Sequence, residues 1–393
     1  MSISRIASTI SESATLRLNA AAASLRAEGK PVIHLGGGEP KSRCPESAIT
    51  AGVELLQTGK VRYTPASGTP ALKQAIIGYT ERFYGRTVEP QNVLASGGAK
   101  QAIMVALHAV VDPHDEVVFP VPYWVSYPDM ARLCGGKPVP VAASDGSLRP
   151  SRADIEGHVT DKTKVILLNN PNNPSGVVYS EQFVADIVQL CERRGIYLIL
   201  DDIYQRLVFD GRKPINCYDY AAQDGEDSRL IVVNGVSKQY AMTGFRIGWA
   251  IGARKLIKVM GMIQGHQTSG PSALSQQAAV GALAGSQDSV ETLRTTLEQN
   301  RNVLLDKLQG IAGIGVTRPD GTFYSFVDFR HYEQDSLKLA QYLLEEALVV
   351  TIPGIAFGLD GFLRISFCGS ADDIIQGVDR IKAALPAYAR GRR

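Results

Sequence analysis

The chain has 393 residues, which is enough for two domains or for one large domain with an appendage. Lysine and arginine number 41 against 39 aspartate and glutamate, and the resulting charge of +2 gives no reason to expect nucleic acid or an anionic membrane as a partner. The five cysteines are odd in number and include no CxxC pair, which predicts neither a disulfide framework nor a zinc site.

Short apolar runs alternate with helical patterns through the first three quarters of the chain. The run "NVLASGG" predicts a strand, and Ile103, Leu107 and Val110 then fall on one face of a helix. Four further runs, "DEVVFPVP", "TKVILLNNP", "IYLILDDIY" and "RLIVVNG", are typical of strands covered by helices on both faces. A helix between two of these strands is predicted to end at Gly195. This alternation predicts an α/β large domain over residues 46–290, with a mostly parallel sheet flanked by helices.

The pattern changes after about residue 290. A long leucine-rich helix is followed by the strand "GTFYSFVDF", a helix, the strands "VVTIPG" and "FLRISF", and a last helix. Ser370 and Asp373 occupy capping-box positions of that last helix. These elements predict a smaller α+β domain made of residues 291–393 and an N-terminal arm, residues 1–45.

Lys238 directly follows the predicted strand "RLIVVNG", within the stretch "NGVSKQYAMTGFRIG". A single lysine in a loop is usually an ordinary surface residue. Here small residues precede the lysine, and Arg246 follows eight residues later, between Gly244 and Gly248. This pattern resembles the lysine motif of the pyridoxal-phosphate-dependent aminotransferases of fold type I. Further motifs in the family's order extend the resemblance over roughly residues 30–385.

The resemblance implies a catalytic role for three residues. The Lys238 amine would attach to the aldehyde of pyridoxal phosphate and would move a proton on the substrate. Asp201, in "LILDDIY", would pair with the pyridine nitrogen, and Tyr204 would donate to the ring oxygen. Without the resemblance, adjacent acids at a strand end fit a metal site or a helix cap equally well, and the tyrosine fits core packing.

The turn "SGGAKQA" opens a helix, and the backbone N–H groups of such a turn can hold a phosphate, although turns of this kind are common. The resemblance places five residues around the cofactor phosphate: Gly98, Ala99, Lys100, Ser237 and Arg246. Arg246 would supply a fixed cation.

Two further residues resemble those that hold the cofactor ring and border the substrate. Trp124, in "PYWVSYPDM", would stack on the ring, and Asn173, in "NNPNNPSG", would bond to the ring oxygen. Taken alone, Trp124 fits a core aromatic equally well, and the Asn/Pro/Gly cluster fits an ordinary turn.

Substrate binding is also implied by matches in several segments. Arg364 lies in the middle of the strand "FLRISF", where an arginine is costly unless paired, and it matches the residue that binds the substrate α-carboxylate. Gly38, in "LGGGEP", matches the glycine whose backbone meets the same carboxylate. Thr15 and Lys100 match positions that receive a side-chain carboxylate in some aspartate-type relatives, although Ser11 stands where such relatives carry a basic residue.

Tyr63, in "VRYTPASG", matches a tyrosine that reaches across a dimer interface to the neighbour's cofactor phosphate. The resemblance therefore implies a homodimer with shared active sites. The alternative is an ordinary loop aromatic near its own site.

The sequence departs from the family pattern in two places. Gly235 replaces a serine that many relatives use to hold the phosphate. After "GEP", where many relatives are acidic, this sequence has Lys41 and Arg43 near the expected substrate entrance. These two residues either attract a substrate carboxylate or only give this part of the surface a different charge.

We therefore expect a pyridoxal-phosphate-dependent amino-acid aminotransferase, most similar to the bacterial aspartate aminotransferases. It would pass the amino group between an amino acid and a 2-oxo acid in a ping-pong cycle, with aspartate or glutamate and their oxo acids expected first. An aromatic or prephenate aminotransferase, a lyase of the same fold and a non-catalytic cofactor-binding regulator are the alternatives. The N-terminus lacks a signal-peptide pattern and no run approaches 18 apolar residues, so we expect a cytoplasmic protein with no membrane, nucleic-acid or metal partner.

Overall fold

The structure is a computed structural model that describes residues 3–8, 10, 14–221 and 225–390. Within these residues the helices are α1 (Arg5–Ser8), α2 (Ala14–Ala27), α3 (Glu46–Gln57), α4 (Pro70–Tyr84), α5 (Ala99–Val110), α6 (Tyr127–Leu133), α7 (Arg152–Glu156), α8 (Glu181–Arg194), α9 (Arg254–Gln267), α10 (Ala273–Ala284), α11 (Asp288–Gln309), α12 (Ser336–Glu346) and α13 (Ala371–Arg390). Short 3-10 helices lie at Pro90–Asn92, Cys217–Tyr220, Gly225–Asp227, Thr243–Phe245 and Gly354–Phe357.

The strands of the described residues form three sheets. They are β1 (Ile33–His34), β2 (Val93–Ser96), β3 (Glu116–Pro120), β4 (Lys137–Val141), β5 (Thr163–Asn169), β6 (Tyr197–Asp201), β7 (Leu230–Gly235), β8 (Gly248–Ile251), β9 (Gly315–Val316), β10 (Tyr324–Asp328), β11 (Val349–Val350), β12 (Ile352–Pro353) and β13 (Phe362–Ser366). The largest sheet has seven strands in the order β2-β8-β7-β6-β5-β3-β4.

Most of the large sheet is parallel. The pairings among β7, β6, β5, β3 and β4 are parallel, whereas β8 runs antiparallel to both of its neighbours, β2 and β7. Successive residues of a strand point to opposite sides of the sheet, and helices cover both of these faces. In β5, for example, Ile166 and Leu168 pack in the core with α4, α8 and α10, while Val165 and Leu167 pack in the core with α5, α6 and α9. The predicted α/β class is confirmed.

A second core joins the N-terminal segment to the last third of the chain. It contains Leu18 and Ala22 of α2 together with leucines of α11 and α12 and the apolar side of α13. Strand β1 pairs with β11, and the antiparallel sheet has the order β12-β13-β10-β9. This part has the smaller α+β composition that was predicted. The domain boundaries near residues 45 and 290 stay a prediction.

Parallel strands all point their carboxyl ends to one edge of the sheet, and ligands bind at that edge in open α/β sheets. At this edge β5 ends at Asn169, β6 at Asp201 and β7 at Gly235. The segments that follow these strand ends carry Asn173, Tyr204 and Lys238. The fold therefore brings these residues to one edge of the sheet, although Asn169 and Lys238 are 69 positions apart in the chain.

Candidate active site

Lys238 lies in the turn after β7, and its side chain is half-buried. Its Nζ donates to the carbonyl oxygen of Gly38 at 2.6 Å, so the N-terminal segment crosses directly over it. Burial, followed by the charge of Arg364, lowers the pKa of the Lys238 ammonium to about 8. A lysine with this pKa can give up its proton near neutral pH, which suits a nucleophile or a general base.

Asp201 is a buried carboxylate at the end of β6, and its two oxygens have different environments. Oδ2 accepts a hydrogen bond from the Tyr127 hydroxyl at 2.7 Å. Oδ1 is also buried and has no hydrogen-bond partner. Burial raises the pKa of the Asp201 carboxyl to about 6, against the lowering effect of Tyr127. An unpartnered buried acceptor is costly. It therefore indicates a place for a hydrogen-bond donor from a bound molecule.

Asp202 follows in the chain but is held in a separate buried network. Its Oδ2 accepts from the Tyr84 hydroxyl at 2.5 Å, and Tyr84 in turn accepts from Asn234 Nδ2 at 3.0 Å. Burial raises the pKa of the Asp202 carboxyl to about 8. Of the two adjacent acids, Asp201 is the one with an oxygen left for a ligand.

Arg364 projects from β13 and is buried. Its Nη1 donates to Asn173 Oδ1 at 2.9 Å and its Nη2 to the Gly36 carbonyl at 3.0 Å. Its Nε is buried without a hydrogen-bond partner, and no ion pair involves this guanidinium within the described residues. Lys238 and Arg364 both donate to the short Gly36–Gly38 segment, so the two cations are close to each other. Unused donors on a fixed guanidinium are suited to an incoming carboxylate.

The predicted phosphate residues converge at the start of α5. Gly98 has φ 98°, a left-handed conformation, and a Cβ built on it would lie 2.7 Å from Arg246 Nη2. Ala99 and Lys100 are the first residues of the helix, where backbone N–H groups lack intrahelical acceptors. Arg246 Nη1 donates to the Thr243 carbonyl at 2.9 Å. A guanidinium beside a helix N-terminus is a suitable anion site.

Trp124 and Lys100 form one contact at this edge. The Lys100 Nζ lies 4.7 Å from the centroid of the Trp124 ring. Partial burial, followed by the charge of Arg246, lowers the pKa of the Lys100 ammonium. The Trp124 ring meets Tyr127 edge to face with the ring centroids 5.4 Å apart, and Tyr127 is the residue that bonds to Asp201.

Tyr204 and Ser237 are both buried beside these groups. The Tyr204 hydroxyl lies 3.4 Å from the Tyr324 hydroxyl, at the limit of a hydrogen bond. Ser237 directly precedes Lys238. The structure thus places Lys238, Asp201, Tyr204, Asn173 and Arg364 at one edge of the sheet.

Tyr63 does not join this group within one chain, and Thr15 cannot be placed relative to it. The Tyr63 side chain is 100% exposed. Thr15 is in α2, but its side chain lies outside the part of the chain that the structure describes, as does all of Ser11. Lys41 and Arg43 are on the surface, where Lys41 pairs with Asp373 at 3.2 Å and Arg43 pairs with Glu46 at 3.2 Å.

Sequence reasoning did not single out three residues that touch this site. Tyr127 bonds to Asp201, and Asn169 accepts from the Asn173 backbone N–H at 2.7 Å and donates to the Asp201 carbonyl at 2.8 Å. Tyr324 contacts both Tyr204 and Arg364. A polar residue at the end of a buried apolar strand was the available signal for Asn169. No local pattern marks the two tyrosines.

These residues fit pyridoxal phosphate. The buried free oxygen of Asp201 suits a ring N–H donor, and the space that a Cβ on Gly98 would fill lies between Arg246 and the start of α5, where a phosphate would bind. The amine of Lys238 is the group that could hold an aldehyde. In the described part of the chain, no cluster of His, Cys, Asp or Glu side chains is arranged for a metal ion. No helix there combines the length and apolar character needed to cross a bilayer.

Known proteins are similar to this chain over nearly its whole length. The family described as aminotransferase class I and II matches residues 30–381. An aspartate aminotransferase of Streptomyces avermitilis is 39% identical over 387 residues, covering 96% of this chain and 94% of the relative. An aspartate/prephenate aminotransferase of Nitrosomonas europaea is 37% identical, covering 98% of this chain and 100% of that protein. The aspartate aminotransferase structure from Thermotoga maritima superposes with a TM-score of 0.91 at 35% identity, covering 98% of this chain and 100% of that one.

Proposed function

Because this chain belongs to the class I and II aminotransferases and depends on pyridoxal phosphate, we propose that it transfers the amino group between aspartate or glutamate and their 2-oxo acids. One observation carries the proposal. A half-buried amine, Lys238, interacts electrostatically with a buried carboxylate that has a free oxygen, Asp201, and with a buried guanidinium that has a free Nε, Arg364. This arrangement can hold a cationic ring on one side and a carboxylate on the other.

Pyridoxal phosphate supplies an aldehyde and an electron-accepting ring when it is bound. In our proposal Asp201 Oδ1 accepts from the ring nitrogen, and Tyr127 keeps the carboxylate oriented through Oδ2. Gly98, Ala99 and Arg246 hold the phosphate.

Lys238 has two tasks in this proposal. Its amine holds the aldehyde group, and once free it removes and returns the proton at the substrate Cα. Burial and the charge of Arg364 lower the pKa of Lys238 to about 8, so an appreciable fraction of the amine is neutral near physiological pH.

Arg364 binds the α-carboxylate common to all amino-acid and 2-oxo-acid substrates. Its plane is fixed by hydrogen bonds to the neutral acceptors Asn173 Oδ1 and Gly36 O, so its charge is not neutralised by a carboxylate of the described chain. A fixed, unpaired cation binds a carboxylate with little loss of side-chain entropy.

The preference for a dicarboxylic substrate rests on Lys100. Its ammonium lies beside Trp124, at the edge of the site, and no ion pair holds it within the described residues. Lys41 and Arg43 are each paired with an acid, so Lys100 is the better candidate for a second carboxylate. The relatives named aspartate aminotransferase support the same substrate class.

Prephenate is a second candidate for the amino acceptor. It is favoured by relatives named aspartate/prephenate aminotransferase, of which the Nitrosomonas europaea protein matches over its full length. Prephenate also carries two carboxylates, so the same two cations serve it.

We also propose that the enzyme is a cytoplasmic homodimer. Four exposed hydrophobic side chains lie on α3 and the segment after it: Val53, Leu56, Val61 and Tyr63. Their burial against a second copy of the chain would remove apolar surface from water, and Tyr63 would then contact that second copy. The five cysteines, all unpaired, fit a reducing compartment.

The substrate proposal is tested by mixing the cofactor-loaded enzyme with single amino acids and following the loss of the cofactor's visible absorbance. We expect aspartate and glutamate to react fastest. Lys100→Ala should reduce the preference for aspartate over phenylalanine by about tenfold, since a hydrogen-bonded charge contact is lost. Lys41→Ala, the matched loss of a surface lysine, should leave that preference unchanged. A faster reaction with phenylalanine in the unmodified enzyme would contradict the proposal in favour of the aromatic alternative.

A further inference from the structure

Tyr324 is a buried tyrosine of β10 that lies next to Arg364 across the small sheet. Strands β10 and β13 pair antiparallel with Tyr324 opposite Ser366, and Arg364 is two residues before Ser366. Side chains two residues apart point to the same face, so Tyr324 and Arg364 are diagonal neighbours. The register of the sheet therefore puts this ring against the guanidinium.

The guanidinium of Arg364 has an aromatic ring on two sides. Its Cζ lies 4.2 Å from the centroid of Tyr324 and 5.0 Å from that of Phe357. Asn173 and Gly36 accept from its Nη atoms at its edge. The two rings restrict the tilt of the guanidinium plane and exclude water from its faces. The N–H groups at its edge that are not already hydrogen-bonded are left to bind an anion.

The hydroxyl of Tyr324 contacts a different part of the site. It lies 3.4 Å from the Tyr204 hydroxyl and 3.3 Å from the place where a Cβ on Gly38 would be. The carbonyl oxygen of Gly38 accepts the hydrogen bond from the Lys238 amine. One side chain thus touches the carboxylate-binding arginine with its ring and the cofactor-side tyrosine with its hydroxyl.

We infer that Tyr324 is a positioning residue with two separable tasks. Its ring holds Arg364 in the orientation that receives the substrate carboxylate. Its hydroxyl accepts from the Tyr204 hydroxyl and so limits how strongly Tyr204 can donate to the cofactor ring oxygen. This inference rests on the proposed function, because it assigns Tyr324 to the same site.

The alternative is that Tyr324 only fills space in the second core. Substitutions separate the two views, because the ring and the hydroxyl can be removed independently. Tyr324→Phe keeps the ring and removes the hydroxyl, whereas Tyr324→Leu removes both. Tyr342→Phe is a matched control, since the Tyr342 hydroxyl bonds to the Ala384 carbonyl at 3.1 Å in the same core but outside the site.

The first measurement is the dissociation constant of maleate, an unreactive dicarboxylate, for the cofactor-loaded enzyme by calorimetry. Tyr324→Leu should bind maleate about tenfold more weakly, as expected for the loss of a desolvated cation–π contact. Tyr324→Phe and Tyr342→Phe should bind within about twofold of the unmodified enzyme. Unchanged binding by a folded Tyr324→Leu enzyme would overturn the ring's task.

The second measurement is the pH midpoint of the bound cofactor's visible absorbance. Tyr204 donates to Tyr324, so loss of the Tyr324 hydroxyl frees the Tyr204 proton for the cofactor ring oxygen and makes that oxygen less basic. Tyr324→Phe should therefore lower this midpoint by a few tenths of a pH unit. Tyr342→Phe should leave it in place. An unchanged or raised midpoint in Tyr324→Phe would overturn the hydroxyl's task, and this test holds even if Tyr324→Leu fails to fold.

The two failures are distinguishable. If the unmodified enzyme neither binds the cofactor nor reacts with an amino acid, the proposed function is wrong. If it does both and the Tyr324 variants match the Tyr342→Phe control in maleate binding and pH midpoint, only the role of Tyr324 is wrong.

Discussion

Asp201 and Asp202 are adjacent and both buried, yet they have different partners. Tyr127 bonds to Asp201 and leaves one carboxylate oxygen free, whereas Tyr84 and Asn234 tie Asp202 into the protein interior. Side chains of successive strand residues point to opposite faces, which explains the separation. Only Asp201 is available to a bound ring.

Replacing each acid by its amide tests this assignment. Asp201→Asn removes the negative partner of the ring nitrogen and should lower turnover on the order of 100-fold, similar to the loss of one preorganised electrostatic group. Asp202→Asn keeps a similar shape and an oxygen that can accept from Tyr84, so it should lower turnover much less. Steady-state kinetics with aspartate measure the ranking, and the reverse ranking would show that the motif is shifted by one residue.

The raised pKa of Asp202 predicts a pH dependence of stability. An aspartate ionises near 4 in the unfolded chain, whereas burial raises the pKa of Asp202 to about 8 in the folded chain. The folded state therefore holds an extra proton between these values, and stability falls as the pH rises from 4 towards 8, by up to about 1.4 kcal/mol per pH unit. Asp202→Asn should lose less free energy of unfolding than the unmodified protein between pH 5 and pH 8. Parallel losses, measured by urea unfolding, would contradict the buried neutral acid.

The motif residues of the site were accessible to sequence reasoning because each lies in a short stretch with several constrained neighbours. Asp201 is the last residue of a strand that is recognisable as buried, and Lys238 and Asn173 follow two other such strands. Tyr127 and Tyr324 could not be found in this way, since their contacts depend on helix packing and on strand register. The functions of these residues stay predictions, whereas their positions are given by the structure.

At the level of elements, α8 ends at Gly195 as its sequence predicts, and the structure shows that Ser180 caps its start. The Ser180 hydroxyl accepts from the Phe183 backbone N–H at 3.1 Å, and Gly195 follows the helix with φ 65°. A serine cap satisfies an open N–H group, and glycine takes the left-handed conformation without a Cβ clash. The helix covers the sheet beside β6 and so supports the strand that carries Asp201.

Removing these two end signals should affect stability more than catalysis. Ser180→Ala and Gly195→Ala should each lower the free energy of unfolding by about 1 kcal/mol. The control Gln189→Ala, at an exposed position of the same helix, should change it by less than about 0.5 kcal/mol. Urea unfolding measures the loss, and kcat/KM for aspartate should stay the same. Equal stability of all three variants would contradict the importance of the helix ends.

The elements of the large sheet could be predicted only in part. Strands β5, β6 and β7 are continuous apolar runs with clear ends. Strand β4 contains Pro138 and Pro140, which disfavour a strand but are tolerated at the edge of a sheet. Strand β8 has four residues, and its antiparallel direction follows from how the chain crosses the sheet. Strand order and direction are long-range properties that no local pattern contains.

At the level of the whole molecule, the contacts of Tyr63 distinguish an active site built from one chain from an active site shared by two chains. Its side chain is fully exposed in the single chain, on the segment that follows α3. In our proposal it donates to the phosphate of the partner's cofactor. A two-fold dimer then takes one surface from each chain at each site.

A mixed dimer of Lys238→Ala and Tyr63→Phe chains tests the sharing. If Tyr63 acts on the partner's site, one site collects both defects and the other is intact, so activity at limiting cofactor should be about half of the unmodified enzyme and above both parent dimers. If Tyr63 acts within its own chain, neither site is intact. The mixed dimer would then reach no more than half of the Tyr63→Phe enzyme, which would contradict the shared site.

The assignment of Lys238 is the central claim, and one covalent measurement tests it most directly. Borohydride treatment of the cofactor-loaded enzyme converts a reversible carbon–nitrogen link into a stable one, and mass spectrometry of the digested chain then locates the cofactor. We predict one cofactor per chain, on the peptide that contains Lys238, and none in Lys238→Ala. Cofactor fixed at another lysine, or equal labelling of Lys238→Ala, would contradict the account.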